Sequence, residues 1–410
     1  MTHRRLPEIH GKAEIVRSFY DGKDTLPLWS VLYTRVNHNP SDAAAFMDLS
    51  IMLQTMGKTE EAMQCQKAAL DISRSYRVKS EKDGRLTVVA FMAPGTFMSN
   101  TPIEFLLERA DVKLVLHYVD AETTSLADVP VHDVGFVAVS QSAVNEPVLL
   151  NLDRLLANWR KPVINSRTST IAGMTRDAVS RLFAGEKDLL SPLTVRLPRE
   201  DVLRIAAGVL GLQTVLPGHT YPALIRPFDT HAGVGLRKIN NQIEFLTYLT
   251  EFPDAQFYLA PFVDYSNADG KFRKARVAVI DGKPFASHLA VSQNWMVHYL
   301  NADMTIHADR RAEEADWMNR FQTDYAVRHA GAFRALYEKL GLDYFVIDCA
   351  ELPDGRLMLF EADVGMIVHS MDPPDLFPYK CGTMAAIYAA FEASLAAHAK
   401  RAIEPLPLAV

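Results

Sequence analysis

Carboxylate side chains interrupt two apolar segments near the end of this 410-residue chain. Residues 344–351 (YFVIDCAE) predict an apolar strand with Asp348 inside it, and residues 357–363 (LMLFEAD) predict a returning strand that carries Glu361 and Asp363. A carboxylate in an apolar strand is costly unless it is ion-paired or bound to a cation. Glu361 and Asp363 share one face of their strand because they are two residues apart. The hairpin therefore predicts an oxygen-lined site that suits Mg²⁺ held jointly with nucleotide phosphates.

A second predicted hairpin, upstream of the first, carries cations. Residues 274–280 (KARVAVI) predict a strand in which Lys274 and Arg276 share a face, because side chains alternate along a strand. An Asp-Gly pair predicts the turn, and the return strand carries His288. We therefore expect Arg276 and His288 on one side of a sheet. These cations also give an alternative to the metal site. In it, the three carboxylates of the acidic hairpin form salt bridges with Arg276 and Arg226.

A glycine-containing loop lies between two strand patterns in the middle of the chain. Residues 221–226 predict a strand that ends in Arg226, residues 229–236 (DTHAGVGL) form the loop, and a strand resumes after them. Gly233 and Gly235 would let backbone N–H groups approach an anion closely. This arrangement is typical of a flexible phosphate flap, whereas a Walker loop would lead into a helix and carry Gly-Lys-Ser/Thr. An ordinary hairpin with two glycines is the alternative.

Strand and helix patterns alternate upstream of the flap. Apolar strands are predicted at residues 86–92, 113–119, 134–140 and 162–165, with a helix at residues 147–159. This alternation predicts a parallel sheet with right-handed crossovers. The loops at residues 94–100 and 140–145 would then lie at the carboxyl ends of strands, where such sheets gather ligands. Residues 167–212 follow with a helical pattern that is broken at two prolines.

The N-terminal part resembles a tetratricopeptide-type helical hairpin. Helices are predicted at residues 42–56 and 59–75, with a glycine between them and bulky and small residues at suitable offsets. Such hairpins normally need about three copies to be stable. This one is therefore expected to pack on the rest of the chain, on a second copy of the chain in a homodimer, or on a protein partner. A plain helical extension is the alternative.

Composition narrows the classes of function. The net charge of −6 argues against broad binding to nucleic acid. Three cysteines lie far apart in the sequence, which predicts reduced thiols rather than a zinc cluster. No stretch approaches the ~18 uninterrupted apolar residues of a membrane helix, and the first residues are polar. We therefore expect a cytoplasmic protein without membrane or nucleic-acid partners.

Residues 165–397 present these elements in a characteristic order. A strand ending in a cation is followed by a glycine flap, a helix, a linker strand, an arginine hairpin and an Asp…Glu-x-Asp hairpin. This order resembles the ATP-grasp superfamily, which includes glutathione synthetase, D-alanine–D-alanine ligase and glutamate-adding ligases. The resemblance implies an α/β (α+β) fold. Its parts would be a helical N-terminal region at 1–84, a Rossmann-like domain at 85–165, a first ATP-grasp lobe at 166–260 and a second lobe at 261–410.

The resemblance also implies a role for each site residue. ATP would be bound by Arg176, Arg226, His231, Gly233 and Gly235 around its phosphates, and by a linker containing Tyr258, Leu259, Phe262 and Val263 around adenine. Arg276 and Arg226 would act in catalysis, with Arg276 facing the γ-phosphate, and two Mg²⁺ ions would be held by Asp348, Glu361 and Asp363. The family usually has lysine where Arg226 stands, often lysine where Arg176 stands, and more often asparagine where Asp363 stands.

The activity implied is an ATP-dependent carboxylate–amine ligase. Its substrate would be an amino acid, a small peptide or a peptide end, with a carrier or other protein recruited through the N-terminal helices. Substrate contacts are expected from Trp295, His298, His288 and His369, while packing is the alternative for the aromatic residues. Two other activities stay open, namely a phosphotransferase on the same fold and a non-catalytic adaptor.

Overall fold

The computed structural model describes residues 5–80, 82, 84–230, 233–298 and 301–401, and within these ranges the chain forms three β-sheets surrounded by helices. The prediction of a mixed α/β fold is confirmed. Within the same ranges, no helix is both long enough and apolar enough to cross a bilayer.

The first sheet has six strands and contains the predicted parallel core. They are β1 (Glu8–Ile9), β2 (Ser75–Val78), β3 (Leu86–Met92), β4 (Val112–Tyr118), β5 (Val134–Val137) and β6 (Val163–Ile164). β3 pairs in parallel with β4 and β5, and β5 pairs in parallel with β6, as the alternation of strands and helices predicts. β2 lies antiparallel beside β4, with β1 at the edge. β1 and β2 precede residue 84 and pair in the same sheet as the later strands. The division into domains stays a prediction.

Helices before and between these strands cover the first sheet. They are α1 (Gly11–Tyr20), α2 (Leu26–His38), α3 (Ala43–Thr55), α4 (Thr59–Ile72), α5 (Ile103–Leu107) and α6 (Glu146–Leu156). α3 and α4 are the two helices of the predicted N-terminal hairpin, and the Asp42 carboxylate caps α3 by accepting from the Ala45 amide at 3.0 Å. Met47 of α3 joins the core of the sheet, whereas Leu49 packs towards Leu32 of α2. The hairpin therefore packs on its own chain, and its tetratricopeptide character stays a prediction.

The next segment builds a four-stranded antiparallel sheet. Its elements are α7 (Thr168–Ala172), α8 (Arg176–Leu182), β7 (Leu189–Leu190), β8 (Val195–Pro198), α9 (Arg199–Ala206), α10 (Leu212–Val215), β9 (Ala223–Pro227), β10 (Arg237–Ile239), α11 (Gln242–Glu251) and β11 (Gln256–Pro261). The second sheet has the order β10-β9-β11-β8. The helical prediction for residues 167–212 is wrong at β7 and β8. β8 pairs with β11, because Pro192 and Pro198 keep this segment out of a continuous helix: α8 has ended at Leu182, and α9 begins only after Pro198.

The third sheet contains both predicted hairpins. Its elements and their flanking helices are β12 (Phe272–Ile280), β13 (Lys283–Ser292), α12 (Ala308–Arg320), α13 (Tyr325–Arg328), α14 (Ala330–Leu340), β14 (Tyr344–Glu351), β15 (Leu357–Asp363) and α15 (Lys380–Ala399). The order is β13-β12-β14-β15-β7, with β7 parallel to β15 and the other pairs antiparallel. Strands β14 and β15 match the predicted residues, so the acidic hairpin is confirmed.

The C-terminal helix joins the first and third sheets through one apolar core. Phe391 of α15 lies 5.5 Å from Phe136 of β5 and 5.2 Å from Tyr344 of β14, measured between ring centroids. The Asn165 side chain adds two hydrogen bonds to the Tyr344 backbone, at 2.7 and 2.9 Å. Because these aromatic rings are buried, the two sheets share a core that holds β12 and β14 in place.

A buried carboxylate on α3 makes the stability of the protein depend on pH. Asp48 is fully buried and accepts from the His10 and Gly11 amides at 3.0 and 3.1 Å. Burial raises the pKa of Asp48 to about 6 in spite of these bonds. A raised carboxyl pKa means that the folded state binds the proton more tightly than the unfolded state. The ionised carboxylate therefore costs stability at neutral pH, and this cost falls as the pH falls through 6.

We expect the free energy of unfolding of the wild type, relative to Asp48→Asn, to rise by ~2 kcal/mol between about pH 7.5 and about pH 4.5. Denaturant titrations of both proteins across this range measure the difference. Other titrating groups cancel because the two proteins share them. A difference that stays constant with pH would contradict the assignment to Asp48.

Candidate active site

A cavity of about 820 Å³ lies between strands of the second and third sheets. The lining includes most of the residues that the sequence singled out, although they come from distant parts of the chain. These are Arg176, Arg226, Gly233, Tyr258, Phe262, Val263, Arg276, His288, Trp295, His298, Asp348, Glu361, Asp363 and His369.

Two predicted residues, Leu259 and Gly235, stand apart from this lining. Leu259 packs in the core of the second sheet, because its neighbours in β11 point the opposite way. Gly235 lies at the base of the flap with φ of +67°, and a Cβ there would be 2.5 Å from Cδ of Pro227. His231 lies outside the residues that the structure describes.

The predicted flap is the loop of an antiparallel hairpin. β9 and β10 pair with each other, and the loop between them follows Arg226. Arg226 Nε and Nη2 donate to Thr230 Oγ1 at 3.2 and 3.0 Å, and Nη2 also donates to the Thr230 carbonyl. Burial, together with the nearby charge of Arg176, lowers the pKa of Arg226 to about 10. The guanidinium of Arg226 is buried and, among the described residues, bonds to Thr230 of the flap, not to a carboxylate. Its charge is therefore available to a bound anion.

Asp348 is held by two cations from the neighbouring strand. Arg276 lies opposite it in the β12–β14 ladder and donates from Nε and Nη2 at 2.8 and 3.0 Å, while Lys274 Nζ lies 2.8 Å away. Burial alone would raise the pKa of Asp348, but the charges of Arg276 and Lys274 hold it well below the ordinary value. The ion-paired alternative is therefore present for Arg276 and Asp348, although Arg226 is not a partner of Asp348.

Glu361 and Asp363 lie beside Asp348 on the facing strand. Glu361 is opposite Asp348 in the β14–β15 ladder and is ion-paired with Arg176 of α8. Asp363 accepts from the Gly365 amide at 3.1 Å. Burial, together with the charge of Glu361, raises the pKa of Asp363 to about 6. This carboxyl group therefore sits where additional positive charge is favourable.

The ligand atoms of Asp348, Glu361 and Asp363 do not form a group within 4.8 Å of one another. Among the described residues, the group whose ligand atoms all lie within 4.8 Å of one another is Asp281, Asp343 and His398. Metal binding by Asp348, Glu361 and Asp363 stays a prediction. Their chemistry nevertheless fits Mg²⁺, because carboxylate oxygens on facing strands are the ligands this ion takes together with phosphates.

Four cationic side chains line the cavity. Lys274 lies on the same face as Arg276, so the period-two pattern could have identified it, although the sequence analysis gave it no role. Together with Arg176 and Arg226, these cations line the same space as the carboxylates. The cations could bind phosphate groups and the carboxylates could bind a metal ion, in place of the ion pairs that they form with each other.

One side of the cavity is aromatic. Phe262 and Trp295 meet edge to face with ring centroids 5.7 Å apart, and Lys238 Nζ lies 4.3 Å from the Phe262 centroid. Tyr258 and Val263 also line the cavity. A flat aromatic ring can pack against such side chains. Adenine binding by the linker stays a prediction.

Three predicted histidines surround the cationic side of the cavity. His288 lies opposite Arg276 in the β12–β13 ladder, and burial and the charge of Arg276 hold its pKa well below the ordinary value. Burial, with the charges of Lys274 and Arg276, also lowers the pKa of His298. Burial lowers the pKa of His369 to about 4. These imidazoles are therefore neutral at pH 7 and do not add to the positive charge.

Comparisons with known proteins give distant structural similarity only. No protein-family model and no curated protein sequence matches the chain. One similar structure is the RimK domain protein ATP-grasp from Sphaerobacter thermophilus, with 13% identity, coverage of 75% of this chain and 99% of that chain, and a TM-score of 0.42. The D-alanine–D-alanine ligase from Coxiella burnetii has 12% identity, coverage of 77% and 96%, and a TM-score of 0.46. The VanG D-Ala:D-Ser ligase from Enterococcus faecalis has 14% identity, coverage of 76% and 100%, and a TM-score of 0.44. TM-scores below 0.5 describe a coarse similarity of the backbone.

Proposed function

We propose that this protein is a Mg²⁺-dependent ATP-grasp ligase that joins a carboxylate to an amine through an acyl phosphate. The observation that carries the proposal is the content of a single cavity. Part of the glycine flap, four cations and five carboxylates, among them Asp348, Glu361 and Asp363, line it together, beside aromatic side chains. The order of these elements in the sequence, which resembles the ATP-grasp superfamily, supports the same activity.

The reaction would proceed in two steps. A carboxylate oxygen of the acid attacks the γ-phosphorus of ATP, the bond from that phosphorus to the β,γ-bridging oxygen breaks, and ADP leaves with the electron pair. The amine nitrogen then attacks the acyl carbon, inorganic phosphate leaves, and the proton lost from nitrogen passes to solvent. Amide, ADP and phosphate are the products. Holding both substrates in one cavity supplies a large part of the rate enhancement.

The cationic residues would bind phosphate groups, and the carboxylates would bind the metal ion. Arg226 and the flap would hold the ATP phosphates, while Arg276 and Lys274 would stabilise the charge that develops on the transferred phosphoryl group. Asp348, Glu361 and Asp363 would hold Mg²⁺, which when bound offsets the negative charge of the phosphate oxygens. Release of Asp348 from Arg276 would free both groups for these roles.

An isotope experiment tests the proposal directly. Amino acids and short peptides would first be screened in pairs for ADP release, and the productive acid would then be prepared with an ¹⁸O-labelled carboxylate. We expect one labelled oxygen in the phosphate that is released, because the acyl phosphate transfers a carboxylate oxygen. Unlabelled phosphate would show attack by water instead. A stable phosphorylated product that forms without an amine would identify a phosphotransferase.

The base of the flap gives a prediction about ATP binding. An added Cβ at Gly235 would collide with Pro227 and would also be strained by the positive φ. Gly235→Ala is therefore expected to displace the flap. Loss of one charged N–H···phosphate hydrogen bond, worth about 1.5 kcal/mol, would raise the KM for ATP about tenfold.

Gly270→Ala is the matched control for this prediction. Gly270 also has a positive φ, of +72°, but a Cβ there has nothing within 4 Å. Steady-state assays that vary ATP measure KM for both variants. Equal changes in KM in the two proteins would contradict the role of the flap.

A further inference from the structure

A group of three metal-ligating side chains lies away from the cavity. Asp281 is in the turn between β12 and β13, Asp343 immediately precedes β14, and His398 is in the last turn of α15. Asp343 precedes Asp348 by five residues in an extended segment. At 3.3 Å per residue the two residues are about 16 Å apart along the chain. The three residues lie outside the lining of the cavity.

The distances within this group suit a small metal ion. His398 Nε2 lies 3.4 Å from Asp281 Oδ1 and 3.7 Å from Asp343 Oδ1. Ligand atoms at the corners of a tetrahedron, each about 2.1 Å from a zinc ion, are about 3.4 Å apart. The two distances from His398 Nε2 are therefore near the spacing that such an ion requires, and all three ligand atoms lie within 4.8 Å of one another.

The burial of His398 is a second observation that points to a ligand. Its side chain is only 5% exposed, and Nε2 contacts the two carboxylates at 3.4 and 3.7 Å without a well-directed hydrogen bond to a described residue. A buried polar atom held by such long contacts alone is costly. Arg401 Nη1 lies 3.4 Å from the other ring nitrogen, Nδ1, a long contact that would weaken if Nδ1 carried the proton while Nε2 bound a metal.

The surroundings orient the donors and leave access. The Asn165 amide donates to Asp343 Oδ2 at 2.9 Å, which leaves Oδ1 facing His398. The side chains of Asp281 and Asp343 are 35% and 28% exposed, so an ion can enter and water can complete its coordination. One imidazole with two carboxylates favours a first-row divalent ion over Mg²⁺ or Ca²⁺, which prefer oxygen ligands alone.

We propose that Asp281, Asp343 and His398 bind a divalent transition-metal ion of the zinc type, at a site separate from the proposed Mg²⁺ site. The ion would link the β12–β13 turn, the start of β14 and the end of α15. Since α15 joins the first and third sheets, bound metal would stabilise the contact between them. This site does not depend on the proposed function.

Titration with Co²⁺ tests the site. After treatment with a chelator, the full chain would be titrated with Co²⁺ in excess Mg²⁺, and binding would be followed by visible absorption and by thermal unfolding. We expect one equivalent to bind with a tetrahedral spectrum and to raise the unfolding midpoint. His398→Gln and Asp281→Asn should each weaken binding at least about 10- to 100-fold, because loss of a ligand costs no less than loss of a supporting contact.

Two controls make the result decisive. His38→Gln, at an exposed histidine of α2, and Asp348→Asn, in the proposed Mg²⁺ site, should leave the Co²⁺ spectrum unchanged. Asp281→Asn keeps the size of a side chain that is 35% exposed, so it tests the ligand set even if His398→Gln does not fold. Absence of stoichiometric binding, or binding that survives both ligand substitutions, would overturn the proposal. So would Co²⁺ binding that is lost in Asp348→Asn.

Discussion

Glu361→Gln is expected to reduce ATP turnover about a thousandfold while the protein stays folded. Glu361 lines the cavity and lies opposite Asp348 in the β14–β15 ladder. Glutamine keeps the size of the side chain but removes the charge that a metal ion requires. The fold should tolerate the change because the Glu361 side chain is 26% exposed and its ion pair with Arg176 is at the cavity surface.

Measurement of ADP release and of the thermal midpoint separates activity from folding. Glu351→Gln is the matched control, since Glu351 ends the same hairpin and is ion-paired with Arg328 outside the cavity. We expect wild-type turnover from this control. Wild-type turnover in Glu361→Gln would remove Glu361 from the set of metal ligands.

Arg276→Ala is expected to lower kcat by about 100- to 1000-fold and to change ATP affinity only a few-fold. The proposed role of Arg276 is to stabilise charge that develops during phosphoryl transfer, and an interaction made mainly in the transition state affects kcat more than binding. The loss of a guanidinium beside Asp348 should be tolerated because Lys274 Nζ stays 2.8 Å from that carboxylate.

Rate measurements at saturating ATP, together with equilibrium ATP binding, separate the two effects. Arg273→Ala is the control on the same strand, because Arg273 forms ion pairs with Asp269 and Glu313 away from the cavity. Its turnover should match that of the wild type. Equal losses of turnover and affinity in Arg276→Ala would mean that this arginine only binds phosphate in the ground state.

Strands with a strong local signal could be predicted from the sequence alone. β3, β14 and β15 coincide with predicted segments because each is an apolar run that ends at a turn. β1, β2 and β7 are short strands of two to four residues. They carry too few side chains to show a period, and their pairing is decided by tertiary contacts. The membership of β1 and β2 in the first sheet could not be predicted for this reason.

The site was predictable to the extent that it depends on alternation along strands. The period of two placed Arg276 with His288 and Glu361 with Asp363, and the structure brings these side chains to one cavity. The partner of Glu361 could not be predicted, because Arg176 is 185 residues away and reaches it through the docking of α8. The pairing of Asp348 with both Lys274 and Arg276 likewise depends on the register between β12 and β14.

The most direct test of the central claim is thermal unfolding with Mg²⁺ and ATP together, compared with each alone. A ligand that binds only the native state raises the unfolding midpoint. We predict a rise with Mg²⁺ and ATP together that exceeds the sum of the separate effects, because the carboxylates and cations of the cavity must be neutralised at the same time. Glu361→Gln should lose this metal dependence. No rise with Mg²⁺ and ATP together, or the same rise with ATP alone, would contradict a metal–nucleotide site in this cavity.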